Sequence, residues 1–242
     1  MFENIIKNVH NRHPLIHCIT NYVSINDCAN IVLACGGAPI MAEDINEVSQ
    51  ITSICQGLDI NIGMLNDNKL SSMLKAGATA NELGIPVILD PVGAGSSDYR
   101  IKAVQNLMSN VQFGVIRGNV SEIKAIAAKQ GIHNIAAGVY ETMQKNKSAM
   151  GVEAGIADKI TDDNIKEMAD FINKLSQKTG AVIAVTGGID MVADENRVYA
   201  IRNGHKMMSL VTGAGCQLSA LTSAYVAADK EHILESVCAA VS

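Results

Sequence analysis

Short apolar runs alternate along this chain with segments in which apolar residues recur at helical spacing. This alternation predicts an α/β fold on a mainly parallel sheet. Residues 87–89 are all apolar, which is typical of a strand that is covered on both faces. The eight predicted strands are Leu15–Ile19, Ala38–Met41, Leu58–Ile62, Pro86–Asp90, Gly114–Arg117, Ala181–Thr186, Asp190–Ala193 and Val198–Ile201.

The predicted helices are recognised by their apolar faces and their end signals. Acidic residues 162–163 open one helix, and Gly180 is expected to end it. No charged residue follows Asp27 before Cys35, so the helix there is expected to be buried on most sides. Residues 131–158 are the least patterned part of the chain and are interpreted as a loop with one short helix.

Composition narrows the classes of function. The chain carries 19 basic and 24 acidic side chains and few aromatic ones, with three Phe, five Tyr and no Trp. There is no basic stripe and no stacking platform, so we expect no nucleic-acid partner. Six scattered cysteines without a Cys-x-x-Cys pair, together with an N-terminus that lacks an apolar leader, favour a cytoplasmic protein with free thiols.

One uncharged stretch, residues 207–228, is long enough to cross a bilayer. Its many Ser, Thr, Gly and Gln side chains favour a strand end followed by a core helix, so we expect no membrane partner. Because no repeat or proline-rich linker divides the chain, we predict one domain over residues 1–242. Its last helix, from Glu231 onward, is expected to be incomplete at Ser242.

Polar, glycine-rich segments follow four of the predicted strands. In open α/β sheets, ligands bind beyond the carboxyl ends of the strands, so these segments are the candidate site. They are residues 88–95, 115–119, 184–188 and 211–216.

Gly213-Ala214-Gly215 gives the strongest local signal, because it opens a helix whose free N–H groups and dipole would stabilise an oxyanion or phosphate. The alternative is a glycine turn that only lets the helix start close to the sheet. A dinucleotide-binding fingerprint fits poorly, since Leu218 stands where its third glycine belongs, and a Walker A loop is absent.

Cys216 is interpreted as the first residue of that helix, where the dipole and the free amides are expected to lower the pKa of its thiol. It is a candidate nucleophile or base, and the alternative is a small buried cysteine.

His13 and His17 are four residues apart, but Pro14 between them forbids a zinc-binding helix. No cluster of His and Cys suggests a metal site.

Asn119 and Glu122 have two interpretations. They match a helix capping box, and they could also hold a hydrated Mg²⁺ at the end of a strand. Asp90 and Arg117, an acid and a base at neighbouring strand ends, favour a complex of metal and triphosphate. The alternative for this pair is a buried structural ion pair.

Taken together, the chain resembles the hydroxyethylthiazole kinases of the ribokinase-like superfamily. The resemblance runs from Pro14 to about Ala228 and depends on several specific stretches. They are residues 14–23, 26–30, 38–42, 81–93, 117–119, 185–187, 203–205 and 212–216.

This resemblance implies a fold, a reaction and an assembly. The fold is a three-layer α/β/α sandwich with a mainly parallel central sheet and without the lid subdomain of sugar kinases. The reaction is transfer of the γ-phosphate of ATP to the primary hydroxyl of 4-methyl-5-(2-hydroxyethyl)thiazole, with Mg²⁺, in thiamine salvage. The assembly is a homotrimer with sites at the subunit interfaces.

The resemblance also implies roles for single residues. Met41 and Gly213 are expected to contact the thiazole alcohol, with Asn21 beside them. Arg117 and Thr186 match positions that contact ATP.

On the phosphate side, Asn119 is assigned to ATP binding, and Asp90 and Glu122 are expected near Mg²⁺, through water. The amides of Gly213, Ala214, Gly215 and Cys216 are expected to form an anion hole. Most ribokinase-like enzymes have Asp as a general base where this chain has Cys216. We therefore expect its thiol to orient or partly deprotonate the alcohol without forming a phospho-thiol intermediate.

Two alternatives remain open at this point. One is a related small-alcohol kinase such as a hydroxymethylpyrimidine kinase, against which the segments around Asn21, Met41 and Cys216 argue. The other is a non-catalytic nucleotide-binding module, because Cys replaces the usual base. Residues 133–150 resemble the family only loosely, so no contacts are assigned to them.

Overall fold

The computed structural model describes residues 2–132 and 159–242, and within them eight strands form one sheet. The order of the strands across the sheet is β2-β1-β3-β4-β5-β6-β7-β8. They are β1 (Leu15–Ile19), β2 (Ala38–Ile40), β3 (Gly57–Asn61), β4 (Val87–Asp90), β5 (Val115–Asn119), β6 (Val182–Thr186), β7 (Asp190–Ala193) and β8 (Val198–Ile201).

Strands β1 to β6 run parallel, whereas β7 and β8 each pair antiparallel with the preceding strand. All eight predicted strands are present, with ends displaced by no more than two residues. The prediction of a mainly parallel sheet is therefore confirmed.

Helices cover both faces of this sheet. Helices α3 to α7 pack on one face, and α2, α8 and α9 pack on the other, where α1 lies against α8 and α9. In the described ranges they are α1 (Phe2–Arg12), α2 (Ile25–Ala34), α3 (Val48–Ile54), α4 (Asp67–Glu82), α5 (Asp98–Asn110), α6 (Val120–Lys129), α7 (Ile165–Thr179), α8 (Ala214–Ala228) and α9 (Ile233–Val241). The three-layer α/β/α arrangement is as predicted.

Side-chain alternation along the strands decides which residues reach the site. In β3, Leu58 and Ile60 pack into the core beneath α4, so Asp59 and Asn61 point to the opposite face, beneath α8. The same alternation turns Asp90 of β4 and Arg117 of β5 toward α8. Polar strand ends therefore meet the N-terminus of α8.

Local capping explains several helix boundaries. Asn66, Ser97 and Asn119 precede α4, α5 and α6, and each side chain accepts a hydrogen bond from the backbone N–H three residues later. Gly180 ends α7 with a φ of 72°, a conformation that favours glycine, as predicted.

Helix α2 differs from the prediction that it is buried on most sides. Cys28 and Val32 are buried, but Leu33 is 57% exposed. The absence of charge after Asp27 therefore reflects an uncharged outer surface, with Asn30 exposed as well as Leu33, and not a second packing partner within the described residues. The loop predicted for residues 131–158 and the loosely matching stretch 133–150 lie, apart from residues 131 and 132, outside what the structure describes.

The uncharged stretch 207–228 forms part of an exposed 3₁₀ helix (Lys206–Leu210) and then α8. The predicted core helix is confirmed, whereas the predicted strand end is wrong, because β8 already ends at Ile201. Within the described ranges, none of the helices has the length and apolar character that a bilayer span requires.

Asp59 is the least compensated polar residue of the core. It is fully buried, and neither of its carboxyl oxygens has a hydrogen-bond partner among the described residues. Burial raises the pKa of Asp59 well above its usual value, and the charge of Asp90 raises it further, while Arg117 opposes the shift. The folded protein therefore retains a proton here that the unfolded chain releases above pH ~4.

Replacing Asp59 by Asn removes this ionisation with little change of volume. We expect Asp59→Asn to raise the free energy of unfolding at pH 7 by roughly 1–3 kcal/mol. A carboxyl group whose pKa is raised by folding stabilises the folded protein at pH values below the pKa that it has in the unfolded chain, and this stabilisation is lost as pH rises. The wild type therefore loses stability as pH rises while Asp59→Asn does not, so the difference between them should widen from about pH 5 to about pH 8. Urea unfolding across this range measures it, with the exposed Asp163→Asn as the matched control. A gain that does not change with pH would contradict this account.

Candidate active site

The site begins with Asp90 at the end of β4. One of its oxygens, Oδ2, accepts hydrogen bonds from Asn61 Nδ2 at 2.8 Å and Ser219 Oγ at 2.9 Å, and lies 3.8 Å from Arg117 Nη1. The other oxygen, Oδ1, is buried without a hydrogen-bond partner in the described part of the chain. Burial raises the pKa of Asp90, and Arg117, Ser219 and Asn61 oppose that shift.

Arg117 connects this carboxylate with the neighbouring strand and with α8. Its Nη2 donates to Thr186 Oγ1 at 2.6 Å, so the structure brings together two of the three residues assigned to ATP. A Cβ placed on Gly215 would lie 2.8 Å from Arg117 Nη1. The guanidinium is therefore packed against the backbone of the glycine turn, and glycine at position 215 permits this approach.

The turn before α8 presents unused backbone donors. Gly213, with a φ of 76°, caps the helix, and a Cβ there would come within 2.6 Å of Ser24 Cβ. The first helical bond runs from Gln217 N to Gly213 O, which leaves the N–H groups of Gly215 and Cys216 without an intrahelical acceptor. These donors and the Arg117 guanidinium can bind an anion together.

Cys216 lies in the third position of α8, not the first as predicted. Its Sγ accepts a hydrogen bond from Asn21 Nδ2 at 3.2 Å. The prediction of a lowered thiol pKa is wrong: burial, followed by the charge of Asp90, raises the pKa of Cys216 despite the hydrogen bonds around it. At neutral pH this residue is therefore a thiol and not a thiolate.

Asn21 and Met41 are both connected with the surroundings of Cys216. The Nδ2 group of Asn21 also donates to Asn61 Oδ1 at 3.1 Å, while its own Oδ1 accepts from the backbone of Ser24 at 3.1 Å. Met41 is half-buried against the apolar cluster that contains Cys216. Asn21 therefore contacts the thiol directly, whereas Met41 packs against the cluster to which Cys216 belongs.

Glu122 and Asn119 form the predicted capping box. Asn119 Oδ1 accepts from Glu122 N at 2.9 Å, and Glu122 Oε2 accepts from Asn119 N at 2.8 Å. The second oxygen, Oε1, accepts from Gly93 N at 2.8 Å. Burial and the charge of Asp90 raise the pKa of Glu122 to about 6, so the group is mainly ionised at neutral pH.

A model of the hydroxyethylthiazole kinase family matches residues 6–242. The chain belongs to this family. It is 51% identical over 241 residues to a hydroxyethylthiazole kinase of Clostridium acetobutylicum, with 100% of this chain and 82% of the relative covered.

Solved structures agree with this membership. A hydroxyethylthiazole kinase protein from Pyrococcus horikoshii OT3 superposes with a TM-score of 0.83 at 32% identity, covering 99% of this chain and 81% of that one. A ribokinase-like superfamily protein from Enterococcus faecalis V583 has a TM-score of 0.60 at 12% identity, covering 98% and 77% of the two chains. The second likeness concerns the fold alone, and it confirms the ribokinase-like architecture.

The residues of this family member fit a hydrated Mg²⁺. Asp90 has one carboxylate oxygen that lacks a hydrogen-bond partner among the described residues, and Glu122 lies near enough for Asp90 to raise its pKa. Mg²⁺ is usually held by one or two carboxylates together with waters and phosphate oxygens. Asp90 and Glu122 would supply the carboxylates. No group of three or more His, Cys, Asp or Glu residues suited to a metal occurs in residues 2–132 and 159–242.

His17, one of the two histidines compared with a zinc-binding pair, is engaged in the fold. His17 belongs to β1 and is buried, with Nε2 2.8 Å from the carbonyl of Ala42 and Nδ1 2.9 Å from Thr52 Oγ1. One ring nitrogen thus holds the loop after β2 at Ala42, and the other contacts Thr52 of α3.

Asn61 and Ser219 were not among the predicted site residues. Asn61 links Asp90 with Asn21, and it ends the third strand, so the rule used for the other strand ends would have found it. Ser219 follows Cys216 by three residues, about one helical turn, and only tertiary packing brings it to Asp90.

Proposed function

We propose that this chain transfers the γ-phosphate of ATP to the primary hydroxyl of 4-methyl-5-(2-hydroxyethyl)thiazole, a reaction of thiamine salvage. Family membership over nearly the whole chain supports this reaction. The observation that carries the proposal is the position of Cys216. Its thiol contacts Asn21 of the alcohol pocket, while its backbone N–H belongs to the turn beside Arg117.

On the nucleotide side, Arg117 and Thr186 bind the phosphates of ATP. The N–H groups of Gly215 and Cys216 stabilise the charge on the transferred phosphoryl group, and Gly213 and Ala214 complete this anion hole. Asp90 keeps the guanidinium of Arg117 in place from the sheet side. Asn119 belongs to the same region and orients Glu122 through the capping box.

Asp90 and Glu122 would hold Mg²⁺ through water, and the ion would neutralise charge on the phosphates. Both carboxylates are preset for this role, since Asn61, Ser219 and the backbone of Gly93 fix their orientation.

On the alcohol side, Met41, Asn21 and Gly213 line the pocket, and the Cys216 thiol orients the hydroxyl toward the γ-phosphate. The new bond joins the alcohol oxygen to the γ-phosphorus as the bond to the ADP oxygen breaks. Because phosphoryl transfer has a loose transition state, positioning matters more than early removal of the hydroxyl proton. A neutral thiol therefore suffices, and no bond between sulfur and phosphorus forms.

A coupled assay of ADP release with a panel of alcohols tests the reaction. We expect ADP release that depends on both the thiazole alcohol and Mg²⁺, with kcat/KM at least about tenfold lower for hydroxymethylpyrimidine. A preference for the pyrimidine alcohol would indicate the related kinase. No alcohol-dependent release at any Mg²⁺ concentration would indicate a nucleotide-binding module.

Two substitutions of Cys216 test its role. We expect Cys216→Ala to lower kcat about 10–100-fold with nearly unchanged ATP binding, because a hydrogen bond to the hydroxyl is lost. Cys216→Asp should keep or raise kcat, since burial beside Asp90 would raise the pKa of the introduced carboxyl and so its basicity. Cys35→Ala, a thiol at the far end of α2, is the matched control. Complete loss of activity in Cys216→Asp would contradict this role.

A homotrimer with sites at the interfaces is supported by an apolar patch beside the turn. Monomers rarely expose a continuous apolar surface of this kind. Its members are more than half exposed, and they are Met207, Met208, Leu210, Val211 and, across the Gly213–Ser24 contact, Val23.

A cytoplasmic location fits the six unpaired cysteines.

Light scattering after gel filtration is expected to give about three times the chain mass of 25.6 kDa. Leu210→Asp should shift the protein toward monomers and lower kcat/KM, because a charge is then buried at the interface. Ile54→Asp changes an equally apolar, 58% exposed residue of α3 and should leave the trimer intact. A monomeric wild-type protein with full activity would contradict the proposed homotrimer.

A further inference from the structure

Two loops carry Asn21 and Met41, two of the three residues assigned to the alcohol, and one lysine joins these loops. Asn21 lies in the loop between β1 and α2 (residues 20–24), and Met41 opens the loop between β2 and α3 (residues 41–47). Lys69 Nζ donates to the carbonyl of Thr20 in the first loop and lies 2.7 Å from Glu43 Oε2 in the second. We call Lys69, Glu43, the Thr20 carbonyl and Tyr22 the lysine clamp.

Tyr22 completes the clamp from the first loop. Its ring centroid is 4.5 Å from Lys69 Nζ, and its hydroxyl donates to Glu43 Oε1. Burial alone would raise the pKa of Glu43, but the hydrogen bonds from Lys69 and Tyr22 outweigh it, and the pKa is lowered. The carboxylate is therefore ionised and held by both loops at neutral pH.

The ammonium group of Lys69 is placed by its helix. Lys69 is the third residue of α4, and its backbone N–H donates to the capping side chain of Asn66 at 2.8 Å. Only 3% of its side chain is exposed, whereas 40% of the Glu43 side chain is exposed. A buried cation has few alternative partners, so its contacts restrict the loops more than a surface ion pair would.

The second loop has little other support near Met41. Strand β2 is a three-residue edge strand that pairs, within the described sheet, with β1 alone. Beyond it, His17 holds the carbonyl of Ala42 from the sheet, and the clamp holds Glu43 from α4. Met41 is thus placed by restraints on the two residues that follow it.

We propose that Lys69 is a positioning residue for the acceptor alcohol, which fixes Asn21 and Met41 relative to each other by joining the Thr20 carbonyl to the Glu43 carboxylate. This inference rests on the proposed function. The clamp touches neither Arg117 nor Asp90, so it acts on the alcohol side of the site and leaves ATP binding unchanged.

The test compares KM for each substrate in Lys69→Met with the wild type. Methionine keeps the length of the side chain and removes the charge. We expect KM for the thiazole alcohol to rise about tenfold, with KM for ATP and kcat within about twofold, because loop placement affects binding of one substrate only. A loss of folding alone would lower the active fraction without splitting the two KM values.

Lys75→Met is the matched control. Lys75 is also on α4, and its Nζ donates to the carbonyl of Ile45 in the second loop, but it is exposed and does not reach the first loop. We expect both KM values to stay unchanged in this variant. An equal rise of the alcohol KM in Lys75→Met would overturn the role of the bridge.

Variants at the exposed end of the clamp keep the test decisive if Lys69→Met does not fold. Glu43→Gln weakens the ion pair, and Tyr22→Phe removes only a hydroxyl group. The alcohol KM should rise several-fold in Glu43→Gln and less in Tyr22→Phe, because the second variant keeps the charge-assisted bond between Lys69 and Glu43. An unchanged alcohol KM in folded Glu43→Gln overturns the proposal.

Hydrogen–deuterium exchange without substrate separates this proposal from the proposed function. In Lys69→Met, exchange should become faster in residues 20–24 and 41–47 and stay unchanged around Arg117. An inactive wild type with this exchange pattern contradicts the proposed reaction and retains the clamp. An active wild type, with exchange and KM unchanged in Lys69→Met, overturns the clamp alone.

Discussion

The rest of the site depends on the contacts of the Asp90 carboxylate. It has no exposed surface, and a buried charge is stable only when it is paired and hydrogen-bonded. Asn61 of β3, Ser219 of α8 and Arg117 of β5 each supply one partner. This one carboxylate therefore connects β3, β5 and α8. The anion-binding turn is placed as a result, since it begins the same helix.

Acidic side chains are crowded around Arg117. Burial raises the pKa values of Asp59, Asp90 and Glu122, and Arg117 opposes each of these shifts. The site must nevertheless accept a polyanionic nucleotide. In the proposed reaction, a neutral thiol at Cys216 would supply a hydrogen bond to the alcohol without adding another carboxylate to this cluster. The cysteine is therefore consistent with catalysis by positioning, in which neutralising charge contributes more than a strong base.

The strands could be predicted because a run of apolar residues is a local property, and the candidate site followed from the positions of their polar ends. The pKa of Cys216 could not be predicted. The sequence indicates the start of a helix, and hence its dipole, but it does not indicate that the thiol is buried beside Asp90. Asp90 and Ser219 are 129 residues apart, so their contact depends on packing alone. The exposed face of α2, with Leu33, was mistaken for a buried one for the same reason.

The two halves of the site are held by different kinds of restraint. Gly213 and Gly215 have no room for a side chain, because Ser24 and Arg117 lie against them. The turn beside Arg117 is thus restricted by excluded volume. The loops around Asn21 and Met41 are held instead by side-chain contacts, which other residue pairs could replace. Substitutions in these loops should therefore be better tolerated than substitutions at Gly213, where a Cβ would meet Ser24.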